Sequence, residues 1–294
     1  MDANKYVKIK IYDKQFSHGT ALGSGDLKIY PEHFIWTRDD DSDFSDVCFV
    51  TESMFRNINS IKEKHKIALI LEPRSIDSHA YDIASSKEFQ EKFDFILTHN
   101  QELIDTNPEK MVFYPFIGCW IELADRMVYK KSKNISIIAS QKRITNGHKL
   151  RHEVIAKYRS HIEGVFGRGI AGSNGYNQIS SKLEALKDYR FHIVIENEIS
   201  KHWFTEKICD CFVTGTVPVF CGTDTISNFY NKDGIIMFSS LEELENILPQ
   251  LTEEWYESRL AAIQDNFDRA SIHGSLPDNH IFEWFKNTYL CNKA

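Results

Sequence analysis

The chain has 294 residues, of which 42% are apolar, and its formal net charge is −7 at pH 7. This apolar content is enough to build real cores, so it excludes an intrinsically disordered protein. The acidic balance argues against general nucleic-acid binding. No run reaches the roughly 18 apolar residues that a membrane-spanning helix needs. The length suits two domains of ordinary size or one large α/β domain.

In the first half, apolar β-branched runs alternate with helical patterns, which is typical of a mainly parallel α/β domain. We predict one such domain over residues 1–128. Its strands are predicted near 6–12, 46–51, 67–72, 93–98 and 111–115, and its helices near 53–64, 86–92 and 101–106. The polar piece YKKSKN (129–134) is predicted to be a linker.

One strand of this half, in KIALILEPRS, ends at Glu72-Pro73. Proline stops the strand and leaves Glu72 at the carboxyl edge of the sheet, where open α/β sheets place ligand sites. An ion pair with Arg74 is the simpler interpretation of Glu72. Further candidates for a reactive group in the same region are Asp77, His79 and Asp82.

A second α/β domain is predicted over residues 129–265, followed by a helical tail at 266–294. Its strands are predicted at 135–140, 162–167, 191–196, 217–221 and 234–238, and its helices at 147–160, 179–188, 203–214 and 241–250. From about residue 252 onward the chain is rich in aromatic residues. These aromatic residues pack either on the first domain or on the second.

A basic cluster follows the first strand of the second domain, in QKRITNGHKLRHE (141–153). It includes Ser140, Arg143 and Arg151 at a strand-to-helix junction. Cations and amide donors at such a junction suit the pyrophosphate of a nucleotide diphosphate. The alternative is an ordinary solvated helix start.

The most informative stretch is FHIVIENEISKHWFTEKICDCFVTGTVPVFCG (191–222), which is predicted to be a strand, a polar loop, a helix and a strand. Its polar loop and helix start carry Glu196, Asn197, Trp203, Thr205, Glu206 and Lys207. Glu206 can accept hydrogen bonds from sugar hydroxyls, and Lys207 adds a full positive charge for a phosphate. The amides and dipole of the helix favour a phosphate by roughly 0.3–1 kcal/mol. Strand-end carboxylates, a loop cap and a packed tryptophan are the alternatives.

This stretch resembles the signature of glycosyltransferase family 10, the α-1,3-fucosyltransferases. The elements that match are Phe191, Glu196-Asn197, Trp203, Thr205-Glu206-Lys207 and Gly215-Thr216-Val217-Pro218-Val219. The resemblance implies an α/β fold of the GT-B type. In that fold two Rossmann-like domains face a cleft, the first on the acceptor side and the second on the donor side. C-terminal helices cross back to the first domain. The short bacterial or viral type, without a membrane anchor, is the closest in form.

The resemblance also implies roles for single residues. Arg151, or Arg143 in its place, contacts the diphosphate, and Lys207 meets a phosphate. Glu206 lies near hydroxyls of the ribose or the sugar. An inverting transfer also needs a general base that takes the proton of the acceptor hydroxyl. The family's base is a glutamate that follows a hydrophobic strand, and Glu72 is the residue that matches it.

The leading hypothesis is therefore an inverting glycosyltransferase that moves fucose from GDP-fucose to a hydroxyl of a glycan or another acceptor. One alternative keeps the fold but uses another nucleotide sugar, such as a pentose donor, to modify bases of phage DNA. Another is a non-catalytic nucleotide-binding module. No cofactor is predicted besides the donor itself. A divalent metal is possible but not indicated, and the acidic run DDDSD (39–43) is interpreted as a solvated turn.

The six cysteines bear on where the protein works. Most of them lie in apolar runs such as DVCFV and VFCG, and their spacing matches no zinc site. Buried reduced thiols predict a cytoplasmic protein, in a bacterium or in a virus-infected cell. The N-terminal MDANKYVKIKIYDK has the pattern of a charged strand and not that of a signal peptide.

Overall fold

A computed structural model of the protein describes residues 7–14, 34–115, 117–167, 177–273 and 277–290. The chain forms two compact units. The first comprises Met1–Gly118 together with Ser275–Ala294, and the second comprises Cys119–Gly274. These divisions differ from the predicted boundaries after residues 128 and 265. The assignment of the two units to acceptor and donor stays a prediction.

Within the described residues, the first unit has a six-stranded parallel sheet in the order β2-β1-β3-β4-β5-β6. Its strands are β1 (Val7–Tyr12), β2 (Phe34–Thr37), β3 (Val47–Thr51), β4 (His65–Ile70), β5 (Phe95–Thr98) and β6 (Met111–Phe113). Its helices in this part of the chain are α1 (Ser78–Ala84), α2 (Lys87–Gln90), α3 (Gln101–Thr106) and a 3₁₀ helix at Glu52–Ser60. Short strands and helices thus alternate, as the sequence predicts.

The second unit also has a parallel sheet, of six strands among the described residues, in the order β12-β11-β10-β7-β8-β9. Its strands are β7 (Lys133–Ile138), β8 (Gly164–Gly167), β9 (Asn177–Gln178), β10 (Tyr189–Ile195), β11 (Val217–Cys221) and β12 (Ile236–Met237). Its longer helices are α4 (Asn146–Tyr158), α5 (Glu206–Phe212), α6 (Leu241–Ile247), α7 (Glu253–Glu257) and α8 (Leu260–His273).

The strand order of the second unit reverses between β7 and β10. From β7 the chain runs outward through β8 and β9, and it then returns to β10 and continues the other way through β11 and β12. In open α/β sheets the loops at such a reversal separate and leave a crevice at the carboxyl ends of the strands. This edge is therefore the first place to look for a bound ligand.

The C-terminal segment belongs to the first unit. It contains α9 (Pro277–Trp284), followed by a π-helical stretch, Phe285–Leu290. Phe282 stacks on Phe34 of β2 with ring centroids 5.1 Å apart. The predicted return of the C-terminal helices to the first domain is confirmed.

The aromatic residues before α9 pack differently. Tyr256 is buried in the core of the second unit, and Trp255 packs against that core. Tyr256 also donates a hydrogen bond of 2.8 Å to the Gly215 carbonyl. The aromatic residues at 255–256 thus pack on the second unit, whereas those of α9 and the π-helical stretch pack on the first.

Strand β3 illustrates why the sheets form where they do. All five residues of its sequence VCFVT are buried, as expected for a strand covered on both faces. Val47 and Phe49 pack with the C-terminal aromatic residues on one face. Cys48 and Val50 pack under the helical residues of the other face. The alternation follows the two-residue period of a strand.

Several predicted elements differ from the observed ones. The helices predicted at 53–64 and 179–188 are shorter 3₁₀ helices, Glu52–Ser60 and Lys182–Ala185. The segment 53–64 contains two serines and two asparagines, and the segment 179–188 contains two serines. These side chains compete for backbone hydrogen bonds, which disfavours a long α-helix. The strand Phe34–Thr37 was not predicted.

The segment predicted as a linker, 129–134, lies within the second unit. Lys131 is buried there and donates to the Thr214 carbonyl at 2.7 Å and to Thr216 Oγ1 at 2.9 Å. These two hydrogen bonds join the segment before β7 to the loop between α5 and β11. The polar composition of this segment predicted a linker, but the buried contacts of Lys131 tie the segment to the second unit.

Five cysteines lie in the described residues, and all five are buried and free: Cys48, Cys119, Cys209, Cys211 and Cys221. Burial raises the pKa of each thiol, which keeps it in the unreactive neutral form. Across the described ranges, no helix combines the length and the hydropathy needed to cross a membrane. The cytoplasmic location stays a prediction.

Candidate active site

The loops after β7 and β10 bring the two predicted basic junctions of the second unit to one edge. The strands are neighbours, with Ile137 paired to Ile193 in register. The loop after β7 leads into α4, and the loop after β10 leads into α5. We call the residues gathered here, Arg151, Glu196, Asn197, Glu206 and Lys207, the second-unit edge.

Arg151 reaches from α4 to the end of β10. Its side chain is buried, its Nε donates to the Ile195 carbonyl at 3.0 Å, and its Nη2 donates to Asn197 Oδ1 at 3.0 Å. Burial lowers the pKa of Arg151, and the nearby carboxylates of Glu196 and Glu206 oppose that shift. The guanidinium therefore stays charged at the carboxyl end of the strand.

A glycine allows this close approach of α4. A Cβ added to Gly147 would lie 1.8 Å from the Glu196 carbonyl oxygen, so any larger residue would push the helix away. The Gly147 amide instead donates to the Asn197 carbonyl at 3.3 Å. The start of α4 is thus fixed against the end of β10 through its backbone.

Glu196 is fully buried, and its carboxylate contacts residues at the start of α5. Its carboxylate accepts hydrogen bonds from the Thr205 amide at 2.9 Å and from the Thr205 hydroxyl at 2.9 Å. Lys207 Nζ lies 3.1 Å from Glu196 Oε2. Because Thr205 directs its hydroxyl to Glu196, it does not cap α5 with its side chain. Glu196 therefore fixes the start of α5 and the position of Lys207.

Glu206, the first residue of α5, lies between two lysines. Its Oε1 is 3.1 Å from Lys182 Nζ and 3.6 Å from Lys207 Nζ. Burial alone would raise the pKa of Glu206, but the attraction of Lys182 and Lys207 outweighs it and lowers the pKa below its usual range. Glu206 is thus an ionised hydrogen-bond acceptor at the second-unit edge.

The remaining predicted residues of this edge lie in its loops. Trp203 and Thr205 are buried, whereas Arg143 is exposed in the loop between β7 and α4. Ser140, in the same loop, accepts a hydrogen bond of 3.3 Å from the Lys142 amide. His202, next to Trp203, has a left-handed φ of 66°. That uncommon conformation marks a sharp turn just before α5.

Sequence reasoning missed three residues that support Glu206. Lys182 pairs with Asp210 Oδ2 at 2.7 Å as well as with Glu206, and its ammonium lies 4.6 Å from the centre of the Trp120 ring. The Trp120 amide donates to Asp210 Oδ1 at 2.6 Å. A signal was present, because Asp210 interrupts the apolar run ICDCF and a buried aspartate needs a cationic partner.

The first unit has its own polar edge, where three neighbouring strands end. Glu52 follows β3, Glu72 comes shortly after β4, and His99 follows β5. We call these three residues together with Tyr81 the first-unit edge. The Tyr81 hydroxyl lies 3.2 Å from His99 Nε2 and donates to the Glu72 carbonyl at 2.9 Å. The structure therefore places Glu72 at a strand end, as predicted.

Glu52 holds the backbone around Glu72. Its buried carboxyl group accepts hydrogen bonds from the Glu72 amide at 2.9 Å and from the Leu71 amide at 3.2 Å. Burial raises the pKa of Glu52 to about 8, against the effect of these backbone hydrogen bonds. Sequence reasoning missed Glu52, although it directly follows the buried strand β3.

The other candidates near Glu72 have structural contacts. Asp77 caps α1 by accepting from the Ala80 amide at 3.0 Å. Asp82 lies 3.1 Å from Arg74, the residue proposed as an ion-pair partner for Glu72. His79 is exposed at the start of α1. The carboxylates of Asp77 and Asp82 thus have structural contacts within the first unit.

The acidic run at 39–43 forms surface ion pairs. Asp41 lies 2.5 Å from Lys8, and Asp40 lies 2.7 Å from Lys10, both on β1. The Asp40 side chain is otherwise fully exposed. This geometry agrees with a solvated turn whose aspartates form ion pairs with lysines of β1.

One protein-family model matches most of the second unit. Residues 128–258 match the model of glycosyltransferase family 10 (fucosyltransferase), C-terminal part. The resemblance to glycosyltransferase family 10 is confirmed. The matched residues lie inside the second unit and include all of the second-unit edge.

A relative within family 10 matches a shorter segment. The chain is 32% identical over 76 residues to the alpha-(1,3)-fucosyltransferase FucT of Helicobacter pylori. That segment covers 26% of this chain and only 16% of the length of the relative. The match therefore supports the family of the segment, and it carries no activity over to the whole chain.

Solved structures of α1,3-fucosyltransferase share the fold over nearly the whole chain. A crystal structure of α1,3-fucosyltransferase has a TM-score of 0.53 at 15% sequence identity, with 93% of this chain and 90% of that chain covered. A crystal structure of α1,3-fucosyltransferase with GDP-fucose has a TM-score of 0.51 at 17% identity, with 87% and 81% covered. The predicted GT-B class, with two parallel-sheet α/β units, is confirmed.

Proposed function

We propose that the protein is a glycosyltransferase that moves a sugar, in the first instance fucose from GDP-fucose, to an acceptor hydroxyl with inversion. One observation carries this proposal. Arg151 and Lys207, from the helices α4 and α5, converge on the carboxyl end of β10 at the reversal of the strand order. Two cations at such a point suit a ligand with two phosphates.

The cations have a direct role in the reaction. As the bond between the sugar and the diphosphate breaks, negative charge grows on the departing phosphate oxygens, and fixed positive groups stabilise it. The Arg151 contacts use Nε and Nη2, which leaves Nη1 for a phosphate oxygen. Lys207 can exchange its contact with Glu196 for a phosphate.

Glu206 is proposed to hold hydroxyl groups of the donor. Its ionised carboxylate accepts hydrogen bonds, and both of its ion pairs use Oε1, so Oε2 is the oxygen available to a hydroxyl. Asn197 is the other candidate contact at this edge. Glu196, Trp203 and Thr205 are buried, which supports positioning roles for them. Ser140 and Arg143 are candidates to contact the donor from the loop after β7.

Glu72 is proposed as the general base in the first unit. Direct displacement at the anomeric carbon requires a carboxylate to take the acceptor proton during attack. The contacts of Glu52 and Tyr81 to the backbone at Glu72 support a fixed position for this residue. NMR of the product gives the test: the inverted anomer is expected, and a retained anomer would overturn the assignment of Glu72.

The identity of the donor is the first point to measure. A thermal-shift screen across GDP-, UDP- and other nucleotide sugars detects binding because a bound donor stabilises the folded state, by about 2.7 kcal/mol at a hundredfold excess over its Kd. The largest shift is expected with GDP-fucose. A larger shift with another nucleotide sugar would change the donor but keep the reaction. Binding without turnover across glycan acceptors would favour a non-catalytic module.

A glycan hydroxyl is a better-supported acceptor than DNA. The net charge of −7 weighs against DNA. The basic stretch 126–151 weakly favours DNA, but three of its cations are engaged inside the second unit: Lys131 is bonded to Thr214, Lys133 lies 3.7 Å from Asp188, and Arg151 is bonded to Ile195. A gel shift with duplex DNA is therefore expected to be negative. A salt-dependent shift would return DNA to consideration.

A further inference from the structure

Lys182 forms a buried three-way contact beside Glu206 that the proposed mechanism does not use. Its Nζ lies 3.1 Å from Glu206 Oε1 and 2.7 Å from Asp210 Oδ2, and its side chain is 21% exposed. The Trp120 ring lies over the ammonium, with 4.6 Å between Nζ and the ring centre. Lys182 thus contacts two carboxylates and one aromatic ring.

The two carboxylates need this cation. Glu206 and Asp210 are four residues apart on α5, so they lie on the same side of the helix, and the Asp210 side chain is only 2% exposed. Two ionised carboxylates at that spacing repel each other, and a pair without a cation takes up a proton. Burial raises the pKa of Asp210 even beside Lys182, so Asp210 is the carboxyl group that takes up this proton. When Asp210 is ionised and Lys182 is absent, the repulsion displaces the Glu206 carboxylate from the position in which it accepts from the donor.

Lys207 does not replace Lys182 in this arrangement. It lies 3.1 Å from Glu196 but 3.6 Å from Glu206, and it is the cation proposed for the diphosphate. When Lys207 turns to a phosphate, Lys182 remains the cation that holds Glu206. The second contact of Lys182, to Asp210, fixes the direction of its ammonium group.

We propose that Lys182 is a positioning residue that holds Glu206 beside Asp210 and aims it at the hydroxyl groups of the donor. This inference rests on the proposed function. Asp210 and Trp120 complete the arrangement, since Asp210 accepts from the Trp120 amide and Trp120 covers the ammonium. The arrangement makes donor binding independent of pH near neutrality.

The test compares the Kd of GDP-fucose, by calorimetry, from about pH 5.5 to about pH 8.5, a range in which the diphosphate diester of the donor does not titrate. Other groups that face the cluster are Lys207, Arg151, His192 and the thiols of Cys119, Cys209 and Cys211. Burial lowers the pKa of His192 to about 3, so this imidazole stays neutral in the range of the test. Burial raises the pKa of Cys209 to about 12, so that thiol stays neutral in this range. The variants are Lys182→Met, Lys182→Met with Asp210→Asn, and Lys187→Met as a matched control from the same segment.

Lys182→Met is expected to bind nearly as the wild type does at the acidic end of the range, where Asp210 keeps its proton, and to lose about tenfold in affinity as pH rises and Asp210 ionises beside Glu206. The double variant removes the second carboxylate, so it is expected to bind as the wild type does at every pH. The wild type and the Lys187→Met control are expected to be flat.

A pH-independent loss in Lys182→Met that Asp210→Asn does not restore would overturn the positioning role, since that pattern indicates a merely structural lysine. Circular dichroism checks that each variant is folded. If Lys182→Met does not fold, the double variant alone decides, because it must bind GDP-fucose as tightly as the wild type does. A wild-type protein that binds no GDP-fucose would instead overturn the proposed donor, and this inference with it.

Discussion

The carboxyl edges of the two sheets carry opposite kinds of polar chemistry. At the second-unit edge, charged side chains pair with one another, as in the contacts of Lys207 with Glu196 and of Lys182 with Glu206. At the first-unit edge, Glu52 is bonded to backbone amides, and burial raises its pKa to about 8. One edge is organised around fixed charge, and the other around groups that hold or move a proton.

Under the proposed function, the two edges serve separate steps of one reaction. Fixed cations bind a diphosphate and stabilise the charge that develops on it. A positioned carboxylate removes a proton from an attacking hydroxyl. Changes at the second-unit edge should therefore raise the Kd of the donor and lower kcat as well, whereas changes at the first-unit edge should lower kcat and leave the Kd of the donor unchanged.

The largest effect is expected from Glu72→Gln. The amide cannot accept the proton of the acceptor, so kcat should fall by about 10²–10⁴-fold while the Kd of the donor stays unchanged. Steady-state kinetics and calorimetry measure the two quantities. Glu88→Gln, at an exposed ion pair of the same unit, is the control and should leave both unchanged. An unchanged kcat in Glu72→Gln would break the proposed division between the edges.

Lys207→Met tests the opposite side of the comparison. Loss of the cation should raise the Kd of GDP-fucose by about 10–100-fold, because a hydrogen bond to a charged group is removed. The matched control is Lys201→Met, which changes an exposed lysine in the loop between β10 and α5. A variant that keeps full donor affinity but loses turnover would move Lys207 out of the binding role. A melting curve should accompany the measurement, since Glu196 loses a partner.

Gly147→Ala tests whether the second-unit edge depends on the backbone approach of α4. The new Cβ would lie 1.8 Å from the Glu196 carbonyl, so the helix must shift, at a cost of about 1–3 kcal/mol. Both the melting temperature and the donor affinity should fall. Asn146→Ala, at the exposed neighbouring position, should change neither. Full donor affinity in Gly147→Ala would mean that Arg151 does not need its present position.

The sequence predicted the fold well where strands are buried on both faces. The strand Val217–Cys221 has the predicted bounds, because continuous apolar runs have one stable environment in a parallel sheet. The strand Phe34–Thr37 was missed, since its partner β1 is distant in sequence and its packing depends on Phe282 in α9. Contacts of that kind cannot be read from a local pattern.

The same limit applies to the candidate site. Arg151 and Lys207 were predicted together because each lies on the helix that follows a strand, and neighbouring parallel strands end at one edge. Lys182 was not predicted, because it precedes β10 and reaches Glu206 only through the packing of α5. Glu52 was missed for a different reason. Its amide partners, Leu71 and Glu72, belong to the next strand and carry no side-chain signal.

The last prediction concerns stability alone, through the proton at the first-unit edge. The pKa of Glu52 is raised from 4.5 to about 8, so between these values the folded protein holds a proton that the unfolded chain has lost. The free energy of unfolding should therefore fall as pH rises through this window, by roughly 1 kcal/mol per pH unit. Below the window the contribution is fully present, and above it the contribution is lost.

Glu52→Gln separates this effect from other titrations. Its carbonyl oxygen can still accept from the Leu71 and Glu72 amides, but the side chain no longer titrates. Urea denaturation at several pH values should show the wild type losing stability relative to Glu52→Gln as pH rises from about 5 to about 8. Parallel curves would place an ionised Glu52 in the folded protein. The first-unit edge would then be a site of fixed charge like the second, and the contrast between the two edges would disappear.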